Sequence, residues 1–172
     1  MRELADGERI RRLADALGAV APRGTRVYLV GGATAVLAGW RPSTVDVDLR
    51  IEPESEQVMR QISDLKERLQ TNIEFATPAD FLPELPGWRE RSRFLFRAGN
   101  VEVFDYDLYS QALAKIERGF DTDLSDVAAM LAEGLVDPAR LRELFAAIEP
   151  QLFRFPAIDP EAFRAKLERT LV

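Results

Sequence analysis

Val27-Tyr28-Leu29-Val30-Gly31-Gly32, thirteen intervening residues, then Asp46-Val47-Asp48-Leu49: the chain is read from this stretch. An apolar run that closes on two glycines is a strand ending in a tight turn, and glycine lets backbone amides approach a phosphate closely. Asp46 and Asp48 stand at i and i+2 on a second apolar run, so a strand there points both carboxylates to one face. Two aligned carboxylates beside a phosphate-sized turn suit one or two magnesium or manganese ions. The plain alternative is a strand-end turn followed by a strand whose outer face carries two solvated acids.

Outward from this segment the pattern alternates strand and helix. Residues 33–38 predict a short helix directly after the glycines, broken by Arg41-Pro42-Ser43. From Val45 to Ile51 the apolar residues take one face, while Asp46, Asp48 and Arg50 take the other. Val58, Ile62, Leu65 and Leu69 recur at helical spacing over residues 54–70, and residues 72–75 form a candidate third strand. Strand, helix, strand implies a crossover rather than a hairpin. Ile10, Leu13, Ala14 and Leu17 predict an amphipathic helix over residues 7–20. After a proline-rich loop at 78–87, the runs 92–98 and 101–106 flank Gly99-Asn100, a two-residue hairpin signal.

Beyond Asp107 the strand pattern stops. Ser110 is a candidate cap for a helix to Arg118, ended by Gly119. Asp121 or Asp123 starts the next, and Asp137-Pro138 and Asp159-Pro160 each place a cap before a first-turn proline. The expected organisation is an α/β core over residues 1–108, a mixed β-sheet with helices, followed by a helical part over 109–172 packed on it.

Composition narrows the chemistry. The chain has 172 residues, 47% of them hydrophobic, enough for a real core. Cys and His are both absent, which excludes disulfides, thiolate or imidazole zinc sites, cysteine nucleophiles and histidine bases. Catalysis must then use carboxylates, Lys, Arg or hydroxyls, and a hard cation fits that inventory. A net charge of −6 argues against broad nucleic-acid binding but leaves room for a local basic groove. No apolar stretch reaches membrane-spanning length, and Arg2, Glu3, Asp6 and Glu8 are unlike a signal peptide, so a cytoplasmic protein is expected.

Gly31-Gly32 followed by Asp46-x-Asp48 resembles the signature of the polymerase-β-type nucleotidyltransferase superfamily. The resemblance covers residues 26 to about 107. It implies a small mixed sheet with helices, and transfer of a nucleoside monophosphate from an NTP with acidic residues and two magnesium ions. Gly31, Gly32 and Thr34 would then hold phosphates, Ala33 standing where the family often has serine. A third carboxylate is implied between two apolar residues. Val101-Glu102-Val103 fits that pattern, with Asp105 as the runner-up and Asp107, nearer the helix start, behind it.

The block Lys115, Arg118, then Asp123-x-x-Asp126 is similar to AbiEii-like and minimal nucleotidyltransferases, several of which are toxins of toxin–antitoxin pairs. It implies that Lys115 and Arg118 balance the triphosphate charge. The acceptor implied is a hydroxyl on RNA, tRNA, a protein or an antibiotic-like small molecule, and a cognate antitoxin is an implied partner. A catalytically silent nucleotide- or partner-binding module of the same fold is the other reading.

Two further stretches stand out. Trp88, Arg89, Arg91, Arg93 and Arg97 form a basic, aromatic run, with Arg91, Arg93 and Arg97 expected on one strand face, where they would meet RNA or else plain solvent. Leu141, Leu144, Phe145 and Ile148, with Phe163, Leu167 and Leu171, read as helix-packing stripes.

Overall fold

The computed structural model describes residues 3–172, so Arg2 of the N-terminal reading lies outside the described residues. The chain divides into two compact units, one running to Thr77 and including Ser92–Asp105, the other made of Pro78–Arg91 and Tyr106–Val172.

The first unit is built on five strands: β1 (Thr25–Val30), β2 (Asp46–Glu52), β3 (Asn72–Glu74), β4 (Arg93–Ala98) and β5 (Val101–Asp105). Their order is β3-β2-β1-β5-β4. β1 is antiparallel to β2 and parallel to β5, so the sheet is mixed. β2 and β3 are parallel across the expected helical crossover, and β4 and β5 form the expected hairpin. Three helices accompany the sheet: α1 (Gly7–Val20), α2 (Gly32–Leu37) and α3 (Glu56–Arg68).

The pleat explains the core. Val27, Leu29, Val47, Leu49, Ile51, Val101 and Val103 share one apolar face and form a single cluster with Ile10, Leu13, Leu17, Val58, Ile62 and Leu65. Each such side chain, fully buried, contributes about 1.5–3 kcal/mol. Asp6 caps α1 by accepting from Arg9 N at 2.9 Å, and Ser55 caps α3. α1 approaches the β4–β5 turn so closely that a Cβ on Gly18 would lie 2.0 Å from the Ala98 carbonyl oxygen.

β4 departs from its sequence reading. Arg93 pairs with Asp105 and Phe94 with Phe104, but the register then slips so that Phe96 pairs with Val103 and Arg97 with Glu102. This bulge resets the alternation. Arg93 and Arg97 therefore lie on opposite faces, and Arg91 is not on the strand at all.

The second unit is helical: α4 (Trp88–Arg91), α5 (Leu108–Arg118), α6 (Asp121–Ala132), α7 (Pro138–Ile148) and α8 (Pro160–Thr170), with 3-10 turns at Pro78–Asp80 and Glu149–Arg154. Asp107, not Ser110, caps α5: it accepts from the Tyr109 and Ser110 amides, and from the Ser110 hydroxyl at 2.7 Å. Asp137 and Asp159 cap α7 and α8 as their spacing predicts. Leu141, Leu144, Phe145, Ile148, Phe163 and Leu167 are buried. So is Trp88, which stacks on Tyr106 with centroids 4.4 Å apart. Arg91 binds the buried Asp107 at 2.8 Å. Trp88 and Arg91 of the basic run are thus spent on internal contacts, while Arg89, Arg93 and Arg97 stay exposed. Among the described residues, no helix is long and apolar enough to cross a membrane.

Candidate active site

β1 ends at Val30 and the chain must turn at once into α2. Gly31 does this with φ 62° and ψ −122°, a combination that L side chains avoid. A Cβ there would also stand 3.3 Å from Asp48 Oδ2. Gly32 has a different reason: its Cβ would fall 2.1 Å from Thr44 Oγ1. Gly31 is therefore required by its backbone conformation, and Gly32 by Thr44, which presses against the turn just before β2.

Thr44 is the part that sequence reasoning missed. Its backbone exchanges two hydrogen bonds with Ala5, at 2.8 and 2.9 Å, and its hydroxyl donates to the Asp46 carbonyl at 3.0 Å. It thereby fixes the N-terminal end of β2 beside the glycines. The hint in the sequence was the glycine pair itself, which signals that something bulky is close.

Asp46 and Asp48 are half-buried on one face of β2. The parallel neighbour β3 sets Asn72 opposite Asp46 and Glu74 opposite Asp48. The Asn72 side-chain amide donates to Asp46 Oδ1 and also to Glu74 Oε1, the latter at 3.2 Å.

Glu102 is not brought to this pair. Arg26 of β1 stands opposite both Glu52 and Glu102, whereas Asp48 stands opposite Val30, four residues further along β1. At ~3.3 Å per residue that is roughly 13 Å of strand. Glu102 is instead held by Arg97, with Arg26 at 3.9 Å on its other side. Arg50 and Glu52 continue the same row at 2.8 Å, a charge ladder across four strands.

Asp105 lies level with Leu29, near the glycine end, but on the apolar face with Val101 and Val103. It is 2% exposed. Arg93 Nη2 donates to its Oδ2 at 2.9 Å, and Oδ1 has no hydrogen-bond partner. Burial pushes this carboxyl above its ordinary pKa, and Arg93 offsets only part of the rise.

Among the described residues, no three acids gather in a metal-binding group. Two carboxylates still fit magnesium, which is commonly held by one or two carboxylates together with the substrate's own phosphates. The space kept clear at Gly31 beside Asp48 is consistent with that. Thr34 is 1% exposed and its hydroxyl donates to the Leu29 carbonyl at 3.2 Å, so it is turned into the unit.

Lys115 and Arg118, in the second unit, meet Asp123 and Asp126. Lys115 Nζ lies 2.6 Å from Asp126 Oδ2 and 3.4 Å from Asp123 Oδ1. Arg118 grips Asp123 with two nitrogens, at 2.7 and 2.6 Å. Lys115, Asp123 and Asp126 are each under 5% exposed. Burial alone would raise the Asp123 pKa, but the Arg118 hydrogen bond and the charges of Lys115 and Arg118 together hold it below the ordinary value. Asp123 is therefore an ion-pair centre inside α6, not its cap.

A family model described as a nucleotidyltransferase of unknown function (DUF6036) matches residues 8–157. No curated protein and no solved structure matches the chain.

Proposed function

We propose, for a chain that belongs to the DUF6036 family of nucleotidyltransferases of unknown function, a metal-dependent transfer of a nucleoside monophosphate from an NTP to a hydroxyl. The observation that carries this reading is the Asp48 carboxylate set against the Gly31 turn, with Asp46 on the same strand face. Asp46 and Asp48 would hold magnesium or manganese. The metal would orient the triphosphate for in-line attack at the α-phosphorus and stabilise the departing pyrophosphate. The side-chain-free turn at Gly31 and Gly32 would let phosphate oxygens approach the backbone. Glu102 is left out of the ligand set, since its carboxylate is occupied at the far end of the strand.

For the acceptor we favour RNA or tRNA, which fits the resemblance of the Lys115, Arg118, Asp123, Asp126 block to AbiEii-like toxins; a cognate antitoxin would then be the partner. A protein or an antibiotic-like hydroxyl is the other acceptor class. The test is incubation of the chain with each labelled NTP and magnesium, in turn with an RNA pool, a protein pool and aminoglycoside-type small molecules. Label transfer that disappears in Asp46→Ala and Asp48→Ala supports the reading. Transfer that survives both substitutions sinks it.

A second reading has its own support. The Thr34 hydroxyl is spent on Leu29 and Glu102 on Arg97, as in a module that binds a nucleotide without turning it over. Metal-dependent NTP binding by calorimetry, with no label transferred to any pool, would favour it.

A further inference from the structure

We infer that Asn72 is a positioning residue for Asp46. This rests on the reading of Asp46 and Asp48 as metal ligands. The acids at Glu102, Asp105, Asp107 and Asp123 are each held by an arginine. Asp46 is different: a neutral amide donates to its Oδ1. An arginine would cancel the charge that a cation needs, whereas an amide fixes the carboxylate and leaves its charge intact.

The placement is built in. β3 is a short edge strand of three residues, and its parallel register puts Asn72 directly opposite Asp46. Asn72 is half-buried, while its neighbour Ile73 is fully buried and anchors the strand in the core. The same amide reaches Glu74 Oε1 at 3.2 Å. The Asn72 amide nitrogen therefore donates to two carboxylates, one on β2 and one on β3. A ligand locked in one rotamer binds metal without first losing rotational freedom.

The experiment is a manganese titration of the full chain, followed by the paramagnetic signal of the free ion, with thermal unfolding measured on each variant. The wild type binds manganese and Asp46→Ala loses it. Asn72→Ala weakens the affinity about 10–100-fold, the range for partners that orient metal ligands, at an unchanged melting temperature. Asn72→Val keeps strand propensity without the donor, and it gives the same loss if the alanine variant folds poorly. Glu74→Gln, which removes a nearby charge but leaves the amide on Asp46, has a much smaller effect. If wild type binds, Asp46→Ala does not, and both Asn72 variants bind as wild type, Asn72 is only a strand residue and the inference falls while the site stands. An equal loss in Glu74→Gln also overturns it, since charge rather than positioning would be at work. If the wild type itself takes no manganese, the proposed site falls and this inference falls with it.

Discussion

Two groups of aspartates in this chain use the same chemistry to opposite ends. Asp123 and Asp126 are buried and closed on themselves by Lys115 and Arg118. Asp46 and Asp48 are half-buried at a strand end, beside a turn that carries no side chain, and Asp46 is steadied by an amide. Burying charge is tolerable only when it is paired, so the first group is committed to holding α5 and α6 together. In the second group Asp46 is met by a neutral amide, which leaves its charge for the cation of the proposed reaction. Acid count and spacing alone do not separate the two. What separates them is which counter-group the fold delivers.

The largest effect expected from this contrast is on activity. Asp46→Ala or Asp48→Ala removes nucleotidyl transfer by orders of magnitude, while stability stays within about 0.5 kcal/mol, as for substitutions outside the core. Activity assays paired with chemical denaturation check both halves. Loss of stability equal to that of a core truncation would place this pair with the closed group.

Lys115→Ala is expected to act the other way round. It leaves Asp126 and Asp123 buried with half their pairing, and breaking such a pair costs about 3–5 kcal/mol. Adding Asp126→Asn in the Lys115→Ala background should recover part of that loss, the non-additivity of contacting residues. NTP affinity, measured below the variant's melting temperature, separates the structural role from the phosphate contact that the resemblance implies. A full-stability Lys115→Ala protein with weakened NTP binding would reverse the comparison.

Much of this was legible beforehand, for local reasons. The alternation from Val45 to Ile51 is a period-two pattern, and it put Asp46 and Asp48 on one face. The crossover into β3 and the helical second half followed from spacing and caps. The distance of Glu102 from the pair is non-local: its face can be read from alternation, but its height depends on how β5 aligns with β1. Thr25 pairs with Val101, and no residue in either strand announces that. Asp105 was more readable than it looked, because it continues the Val101, Val103 series onto the apolar face. The bulge at Leu95 was hidden, since an Arg-Phe-Leu-Phe-Arg run fits either parity. Asn72 had no motif, and its value appears only through the register with Asp46.

Gly31→Ala sharpens the comparison at the turn. Alanine at φ 62° is strained, of order 1–3 kcal/mol, and its Cβ would meet Asp48. Both stability and manganese affinity should fall. If only stability fell, the space beside Asp48 would be a matter of backbone geometry and not of a ligand.

The smallest effect concerns Asp105, an acid that belongs to neither group: buried like Asp123, but with one arginine and one unpaired oxygen. Its carboxyl is raised above the ordinary 3.8 by burial, with Arg93 offsetting part. A raised acid binds its proton more tightly in the folded chain than in the unfolded one. Its contribution is therefore most favourable below 3.8 and is lost as the pH climbs through the folded value. Asp105→Asn removes that loss. Relative to wild type, the variant should be more stable near neutral pH than in acid, by a modest margin, because the Arg93 pair it gives up is half-exposed and worth about 0–1 kcal/mol. Denaturant unfolding of both proteins across the acidic range reads this directly. A difference that stays flat with pH would mean that Asp105 keeps the same affinity for its proton in both states. A difference of the opposite slope would mean that Arg93 pairs with Asp105 as fully as Arg118 pairs with Asp123, and would move Asp105 into the closed group.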